Sequence, residues 1–143
     1  MEQNEKNTGL DLTQANELAR AITAILIEKK ALDVRMYNVT GESAITDYYV
    51  NVTGRSSTQV TSLADEVVFK ISELGGTSGK IEGRGGTSWL LIDYGDVIVN
   101  VFDRESREFY NLDRIFPATS LVDISDIVSE VDKKYEINTA KED

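Results

Sequence analysis

The segment from Trp89 to Phe102, with the sequence WLLIDYGDVIVNVF, largely decides the fold. Two almost unbroken apolar runs, WLLI and VIVNVF, flank the short turn DYGD. Runs of this kind around a turn that contains glycine are typical of a hairpin whose strands are covered on both faces. The segment therefore predicts two central strands, within which Asn100 is buried and must find hydrogen-bond partners.

Two amphipathic helices and three further strands are predicted before this hairpin. The first helix has Asp11 or Thr13 as its N-cap, and its apolar residues recur at helical spacing. The second helix follows Ser56, which begins a capping-box pattern, and it stops at Gly75. Strands are predicted over residues 33–39, 48–53 and 77–82 from their apolar and β-branched residues. This order of elements favours a single α+β domain.

The region after the hairpin divides into a short helix and a tail. Asp103 is predicted to cap a helix that runs through Tyr110. The charged residues of this helix are interpreted as a solvated face; they are Arg104, Glu105, Arg107 and Glu108. Pro117 ends the compact part, so we expect a flexible N-terminus over residues 1–11, a domain over 12–117 and an acidic tail over 118–143 that is partly helical or disordered.

Composition restricts the chemistry that the chain can perform. It has 143 residues, enough for one domain. It contains no Cys and no His, which excludes disulfides, thiolate nucleophiles and His-based catalytic sets. With 25 acidic and 15 basic residues, its net charge is −10. Such a chain is a poor binder of nucleic acid and is attracted to basic partners. No secretory signal or membrane-spanning run is visible, which indicates a cytoplasmic protein.

Three local patterns are candidates for chemistry. Asp93 and Asp96 bracket a turn where two carboxylates could hold a divalent cation, although Asp is also a common turn residue and we favour that interpretation. The loop Gly54–Ser57 lies between a strand and a helix, as an anion site would, but Ser56 is explained as a cap. Residues 83–86 form a glycine-rich loop without a nucleotide-binding spacing. Trp89 is equally consistent with a core residue and with an interface anchor.

Several motifs, taken in order, resemble the ribosomal silencing factor family, also called Iojap-like. The resemblance covers about residues 12–116, and the motifs that carry it are Ser43–Val50, Thr53–Val60, Ala64–Val67, Glu82–Gly83, Trp89, Leu91, Asp93–Val99, Phe102 and Arg107–Leu112.

The resemblance implies both a fold and a function. The fold would be a mixed sheet of about five strands flanked by helices, similar to a nucleotidyltransferase that lacks the catalytic residues. The chain would bind the large ribosomal subunit through large-subunit ribosomal protein fourteen, with little direct RNA contact, and would block joining of the small subunit when nutrients are short. It would use no cofactor or metal, perform no catalysis, contact no membrane and form homodimers off the ribosome.

The resemblance also assigns candidate partner-binding residues. Trp89 would be the buried anchor, and neighbouring acidic residues would pair with Arg or Lys of the partner; the full set is Trp89, Asp93, Tyr94, Asp96 and Glu82. The chain departs from the family where Asn100 replaces the usual His and Phe116 replaces the more frequent Trp. Two alternatives remain open: a nucleotide- or metal-dependent transferase, active or degenerate, and an assembly factor of the large subunit.

Overall fold

A computed structural model describes residues 10–83 and 88–142 of the chain. Its helices are α1 (Ala15–Glu28), α2 (Ser57–Glu73), α3 (Arg104–Tyr110) and α4 (Ser125–Glu142), with 3₁₀ turns at Leu112–Ile115 and Ala118–Ser120. Its strands are β1 (Leu32–Asn38), β2 (Tyr48–Thr53), β3 (Lys80–Gly83), β4 (Trp89–Asp93) and β5 (Val97–Phe102). Most of the N-terminus predicted to be flexible (residues 1–9 of 1–11) and most of the predicted glycine-rich loop (residues 84–86 of 83–86) lie outside the described residues.

The five strands form one mixed sheet in the order β1-β2-β5-β4-β3. Strand β2 runs parallel to β5, and every other neighbouring pair is antiparallel. In this register Asn51 of β2 lies beside Asn100 of β5, and Trp89 of β4 lies opposite Phe102. The predicted hairpin is therefore present as β4 and β5, and the predicted α+β class with a mixed sheet is confirmed.

One face of the sheet is covered by α1 and α2 and carries the main hydrophobic core. Alternate strand residues point into this core because side chains switch faces at each residue of a strand. Fully buried examples are Val50, Val99 and Ile92 on the sheet, and Ile22 and Val67 on the helices. This layer fixes the sheet rigidly from one side and leaves the opposite face to other elements.

The helix ends follow local hydrogen bonding, with one correction. Helix α1 begins after Gln14 rather than at Asp11 or Thr13. The Asp11 carboxylate is used in a turn, where it accepts a hydrogen bond from the Thr13 backbone N–H (3.1 Å), so it is not free to cap the helix. Helix α2 begins as predicted, because the Ser56 hydroxyl accepts a hydrogen bond from the Gln59 backbone N–H (3.1 Å).

The second face of the sheet is only partly covered, which corrects the prediction that both hairpin strands are covered on both faces. Helix α3 and the turn Leu112–Ile115 cover the β2 and β5 side of this face. All six residues of β5 are buried, whereas β4 alternates between buried and partly exposed positions. The uncovered part over β4 is therefore the open surface of the sheet.

Helix α4 of the acidic tail packs on α1, on the far side of the helical layer. Ile127 is buried in this contact, and Asp126 forms an ion pair with Arg20. Farther along, the ammonium of Lys30 lies 4.1 Å from the centre of the Tyr135 ring. The boundary proposed at residue 117 stays a prediction. Neither α4 nor any other helix in the described residues has the length and apolar character needed to cross a membrane.

Candidate functional site

A groove of about 520 Å³ lies on the open face of the sheet, and we call it the sheet groove. Its lining is mostly apolar and comes from the strands β2, β3, β4 and β5, the loop before β2 and the turn after α3. The lining residues are Ile45, Tyr49, Glu82, Trp89, Leu91, Asp93, Ile98, Asn100, Leu112, Ile115 and Phe116. A concave apolar surface with a few polar groups is the usual form of a binding site.

One wall of the sheet groove comes from the segment that follows α3. The Phe116 ring packs between two tyrosines, with ring centres 4.6 Å from Tyr37 and 4.9 Å from Tyr49. At the rim, Ile45 and Ile115 are 71% and 66% exposed. Large aliphatic side chains on both rims leave apolar area that a partner would remove from water, and that burial would stabilise a complex.

Trp89 forms part of the groove lining and is held on several sides. Its indole Nε1–H donates a hydrogen bond to Asn100 Oδ1 (3.0 Å). Its ring packs against Phe102 and Tyr110, with ring centres 5.0 Å and 4.6 Å away. Because the N–H is already paired inside the protein, Trp89 can offer a partner its apolar ring surface but not a hydrogen bond. The core role that the sequence left open is therefore present, and the interface role stays a prediction.

Two of the predicted acidic residues, Glu82 and Asp93, line the sheet groove. Asp93 also shapes the hairpin turn, because its Oδ1 accepts a hydrogen bond from the Gly95 backbone N–H (2.8 Å). Gly95 has φ +88°, a conformation that side chains disfavour and glycine tolerates. The turn interpretation of Asp93 therefore holds, and its second carboxylate oxygen makes no hydrogen bond within this turn.

The structure places Tyr94 and Asp96 away from the groove lining. Tyr94 packs on the helical side of the sheet beside Gly79, and burial raises the pKa of its hydroxyl to about 12. Asp96 is exposed at the turn, and its backbone carbonyl accepts hydrogen bonds from the backbone N–H groups of Asp47 and Tyr48 (both 3.1 Å). Three of the five predicted residues are thus brought together in one groove, with Asp96 at the adjacent turn.

A buried polar network beside the sheet groove was missed by the sequence analysis. Arg107, predicted to lie on a solvated face, is only 8% exposed. Its Nε–H donates to Asp113 Oδ2 (2.7 Å), and one terminal N–H donates to the Thr53 hydroxyl (2.8 Å). Burial alone would raise the pKa of Asp113, but hydrogen bonds from Arg107 and Asn51 outweigh it and lower that pKa below its usual range.

The other candidate sites have structural explanations. A Cβ atom at Gly54 would lie 2.9 Å from Val60 Cγ2, so close packing of the loop on α2 accounts for this glycine. The Arg55 backbone N–H donates to Gln59 Oε1 (2.6 Å), and its guanidinium donates to the Lys30 carbonyl. Across residues 10–83 and 88–142, no three acidic side chains gather in a way that could hold a metal ion.

A helix-backed sheet whose open face carries an apolar groove with carboxylates has the form of a binding surface. Comparison with known proteins makes this specific. The family model described as "Ribosomal silencing factor during starvation" matches residues 12–143. The chain therefore belongs to the ribosomal silencing factor family, a family of ribosome regulators. The match includes the tail that follows Pro117 as well as the sheet.

Individual relatives agree with this assignment. A ribosomal silencing factor from Zymomonas mobilis is 39% identical over 99 residues, which are 69% of this chain and 74% of that protein. A crystal structure of a Bacillus halodurans protein has a TM-score of 0.61 and 33% identity, and the match covers 77% of this chain and 99% of that one. A Mus musculus protein named "Mitochondrial assembly of ribosomal large subunit protein 1" is 28% identical over 105 residues, which are 71% of this chain and 46% of that protein.

Proposed function

We propose that the chain represses translation by binding the large ribosomal subunit through large-subunit ribosomal protein fourteen and blocking the small subunit from joining. Membership of the silencing factor family supports the ribosome as the target. The observation that carries the proposal is the sheet groove, an apolar concave surface of about 520 Å³ on an otherwise acidic protein. The bound chain would act by steric exclusion of the small subunit, so the proposed function needs no catalytic residue and no cofactor.

The charge of the chain supports a protein contact over an RNA contact. At a net charge of −10 the molecule is repelled by the phosphate backbone of ribosomal RNA. A basic ribosomal protein is a complementary target, and opposite charge raises the rate of encounter. We therefore infer that Glu82 and Asp93 in the groove, with Asp96 at the turn, face Arg or Lys side chains of the partner. Tyr94 contributes by packing beneath this turn.

We infer that Trp89 contributes the main share of the binding free energy. Aromatic residues in partly enclosed, desolvated positions dominate protein interfaces, whereas charges at the rim contribute little. The rigid packing of the Trp89 ring on Phe102 and Tyr110 means that little side-chain freedom is lost on docking. The exposed aliphatic residues Ile45 and Ile115 then close over the partner as the water-excluding border.

The test is sedimentation of the purified chain with isolated subunits, followed by a subunit-joining assay. We expect co-migration with the large subunit and fewer joined ribosomes. Trp89→Ala should weaken binding by about 2 kcal/mol or more, roughly 30-fold. The matched control is Phe69→Ala, which removes a 56% exposed aromatic from α2 on the other side of the molecule. Binding of a folded Trp89→Ala variant at wild-type strength would remove the anchor assignment.

The turn carboxylates are tested separately. Asp93→Asn and Asp96→Asn should each weaken binding by a few tenths of a kcal/mol to about 1 kcal/mol, with a larger loss at low salt. Asp65→Asn on the exposed side of α2 changes the net charge equally and serves as the control. Equal effects from all three changes would show that only overall charge matters, which contradicts a specific contact at the turn.

A role in assembly of the large subunit is a second candidate, favoured by the name of the mouse relative. It uses the same surface and differs in which particles are occupied in cells. Profiling immature and mature large subunits for the bound chain separates the two. Enrichment on immature particles favours assembly, and enrichment on mature free subunits during starvation favours silencing.

We also infer that the chain forms homodimers off the ribosome. Ile45, Ile115 and the 78% exposed Phe109 leave apolar area that a second copy would bury. Sedimentation equilibrium of the isolated chain measures this directly. A strictly monomeric chain at micromolar concentration contradicts the inference without affecting the proposed ribosome contact.

A further inference from the structure

A relay of hydrogen bonds connects the groove tryptophan to a buried carboxylate on the other side of β5. The Trp89 Nε1–H donates to Asn100 Oδ1 (3.0 Å). The Asn100 Nδ2–H donates to Asn51 Oδ1 (3.1 Å), and the Asn51 Nδ2–H donates to Asp113 Oδ1 (3.1 Å). Both asparagines are essentially fully buried. Every donor in this relay therefore points towards Asp113.

The direction of the relay follows from the chemistry of its two end members, the Asp113 carboxylate and the Trp89 indole. An ionised carboxylate only accepts hydrogen bonds, so Asn51 must turn its amide N–H towards Asp113. That leaves the Asn51 oxygen for Asn100, and the Asn100 oxygen for Trp89. A side-chain amide can otherwise be placed either way round in a similar volume. The acceptor-only carboxylate of Asp113 and the donor-only indole N–H of Trp89 therefore hold both amides in one orientation, in which the indole N–H meets an acceptor.

The same carboxylate holds the wall of the sheet groove. Asp113 lies in the turn Leu112–Ile115, and both end residues of that turn line the groove. Its Oδ1 accepts from the Tyr37 hydroxyl (2.8 Å), and its Oδ2 accepts from Arg107 Nε–H (2.7 Å). These bonds join the turn to β1 and to α3. Tyr110, which packs on the Trp89 ring, lies one turn along α3 from Arg107.

The geometry points to Asp113 as the positioning residue of the sheet groove: it orients Trp89 through two buried amides and anchors the wall opposite. It does not line the groove itself and acts through the residues that do. As far as partner binding is concerned, this inference rests on the proposed function. The orientation of Trp89 is a property of the isolated chain and is tested without any partner.

Replacement by the isosteric amide exposes the role of the charge. An Asp113→Asn side chain keeps one acceptor and gains an N–H₂ group. If that group faces Arg107, two donors meet and the ion pair is lost. If it faces Asn51, both relay amides must invert, and the Trp89 N–H then faces a donor. Either arrangement leaves a buried donor without its acceptor, which is the costly outcome for a polar network.

The experiment reads Trp89 directly, because it is the only tryptophan in the chain. Fluorescence emission and acrylamide quenching are measured for the wild-type chain and for its Asp113→Asn and Asp126→Asn variants. We expect Asp113→Asn to shift the emission to longer wavelength and to raise the quenching constant. Asp126→Asn, which removes the ion-paired carboxylate that contacts Arg20 on the helical side, should leave both unchanged. A folded Asp113→Asn chain with wild-type emission and quenching overturns the inference.

A second variant keeps the test decisive if Asp113→Asn does not fold. Asn51→Ala cuts the relay but retains the Asp113 carboxylate and its bonds to Arg107 and Tyr37. It should alter Trp89 emission in the same direction. Unchanged Trp89 emission in Asn51→Ala overturns the inference that the relay orients Trp89. If neither variant folds, the inference is also overturned, and Asp113 has a purely structural role.

Binding to purified large-subunit ribosomal protein fourteen completes the test. Asp113→Asn should bind about tenfold more weakly, equivalent to about 1.4 kcal/mol. If the wild type does not bind but the variant alters Trp89 emission, the proposed function fails and the positioning of Trp89 stands. If the wild type and the variant bind equally, the role of Asp113 in docking is overturned and the proposed function stands.

Discussion

Replacement of Arg107 by Met is expected to destabilise the fold through the carboxylate that it leaves behind. Methionine retains most of the aliphatic length of arginine but no donor. The change removes two N–H donors to Asp113, at 2.7 and 3.3 Å, and one to the Thr53 hydroxyl at 2.8 Å. The side chains of the ion pair are only 9% and 12% exposed. Asp113 would therefore remain charged and largely buried without a cation in direct contact.

The expected loss follows from the partners that remain. Breaking a buried ion pair by removing one member costs about 3–5 kcal/mol. Because Tyr37 and Asn51 still donate to Asp113, we expect the lower end, about 3 kcal/mol. A domain with a typical stability of about 5–15 kcal/mol would stay folded, and its Tm would fall by about 10 °C.

Urea unfolding, followed by circular dichroism and by Trp89 fluorescence, measures the loss. The double variant Arg107→Met/Asp113→Asn should regain part of it, because the amide removes the uncompensated charge while its oxygen can still accept from Tyr37 and Asn51. A loss of unfolding free energy below about 1 kcal/mol in Arg107→Met would refute this reasoning. So would a double variant whose loss equals the sum of the losses in the two single variants.

The pH dependence provides a second readout of the same pair. In the wild type the pKa of Asp113 is lowered in the fold, so its stabilising contribution is present above pH 3.8 and is lost as the pH falls through the folded pKa. In the Arg107→Met variant the main cation is gone, so burial raises the pKa of Asp113. Protonation of Asp113 at acidic pH then removes the buried charge and recovers part of the variant's free energy of unfolding. The stability gap between the two proteins should therefore narrow as the pH falls below about 5.

Three further predictions concern packing and capping. Tyr94→Phe should be neutral or stabilise the chain in thermal unfolding, because the hydroxyl is buried without a hydrogen-bond partner in the described residues; a loss above about 1 kcal/mol would reveal a partner. Gly54→Ala should cost about 1–3 kcal/mol in urea unfolding, since its Cβ would lie 3.0 Å from the Val60 backbone nitrogen; a neutral result would show that the loop can move. Ser56→Ala should cost about 1 kcal/mol in urea unfolding, because the hydrogen bond that caps α2 at Gln59 is lost. Ser56→Asp should retain this cap. Equal losses in the two variants would contradict capping.

The elements that sequence reasoning identified are those set by local patterns. The periodicity of α1 and α2, the hydroxyl before α2 and the two apolar runs around the β4–β5 turn each depend on neighbouring residues alone. Asn100 was also anticipated correctly as a buried residue with hydrogen-bond partners. The start of α1 was missed because Asp11 can satisfy either a turn or a helix, and local sequence does not distinguish them.

The candidate site was only partly predictable because it depends on contacts between distant segments. Arg107 looks like one charge among several on a short helix, and only the position of Asp113 in the following turn shows that it is buried. The open face over β4 was missed because an apolar run is equally consistent with a strand covered on one face and on two. The alternation of Trp89, Leu91 and Asp93 with Leu90 and Ile92 was the available signal.

The sheet groove and the tail helix α4 lie on different sides of the molecule, so the protein can be immobilised on a solid support in either of two orientations. The chain has no cysteine, so a single thiol can be introduced at either end of this arrangement. Lys133→Cys, on the exposed side of α4, attaches the protein by its helical layer and leaves the groove facing solution. Ile45→Cys, at the rim, attaches it by the groove itself. The amounts of partner that the two immobilised forms capture then show which face of the molecule binds it.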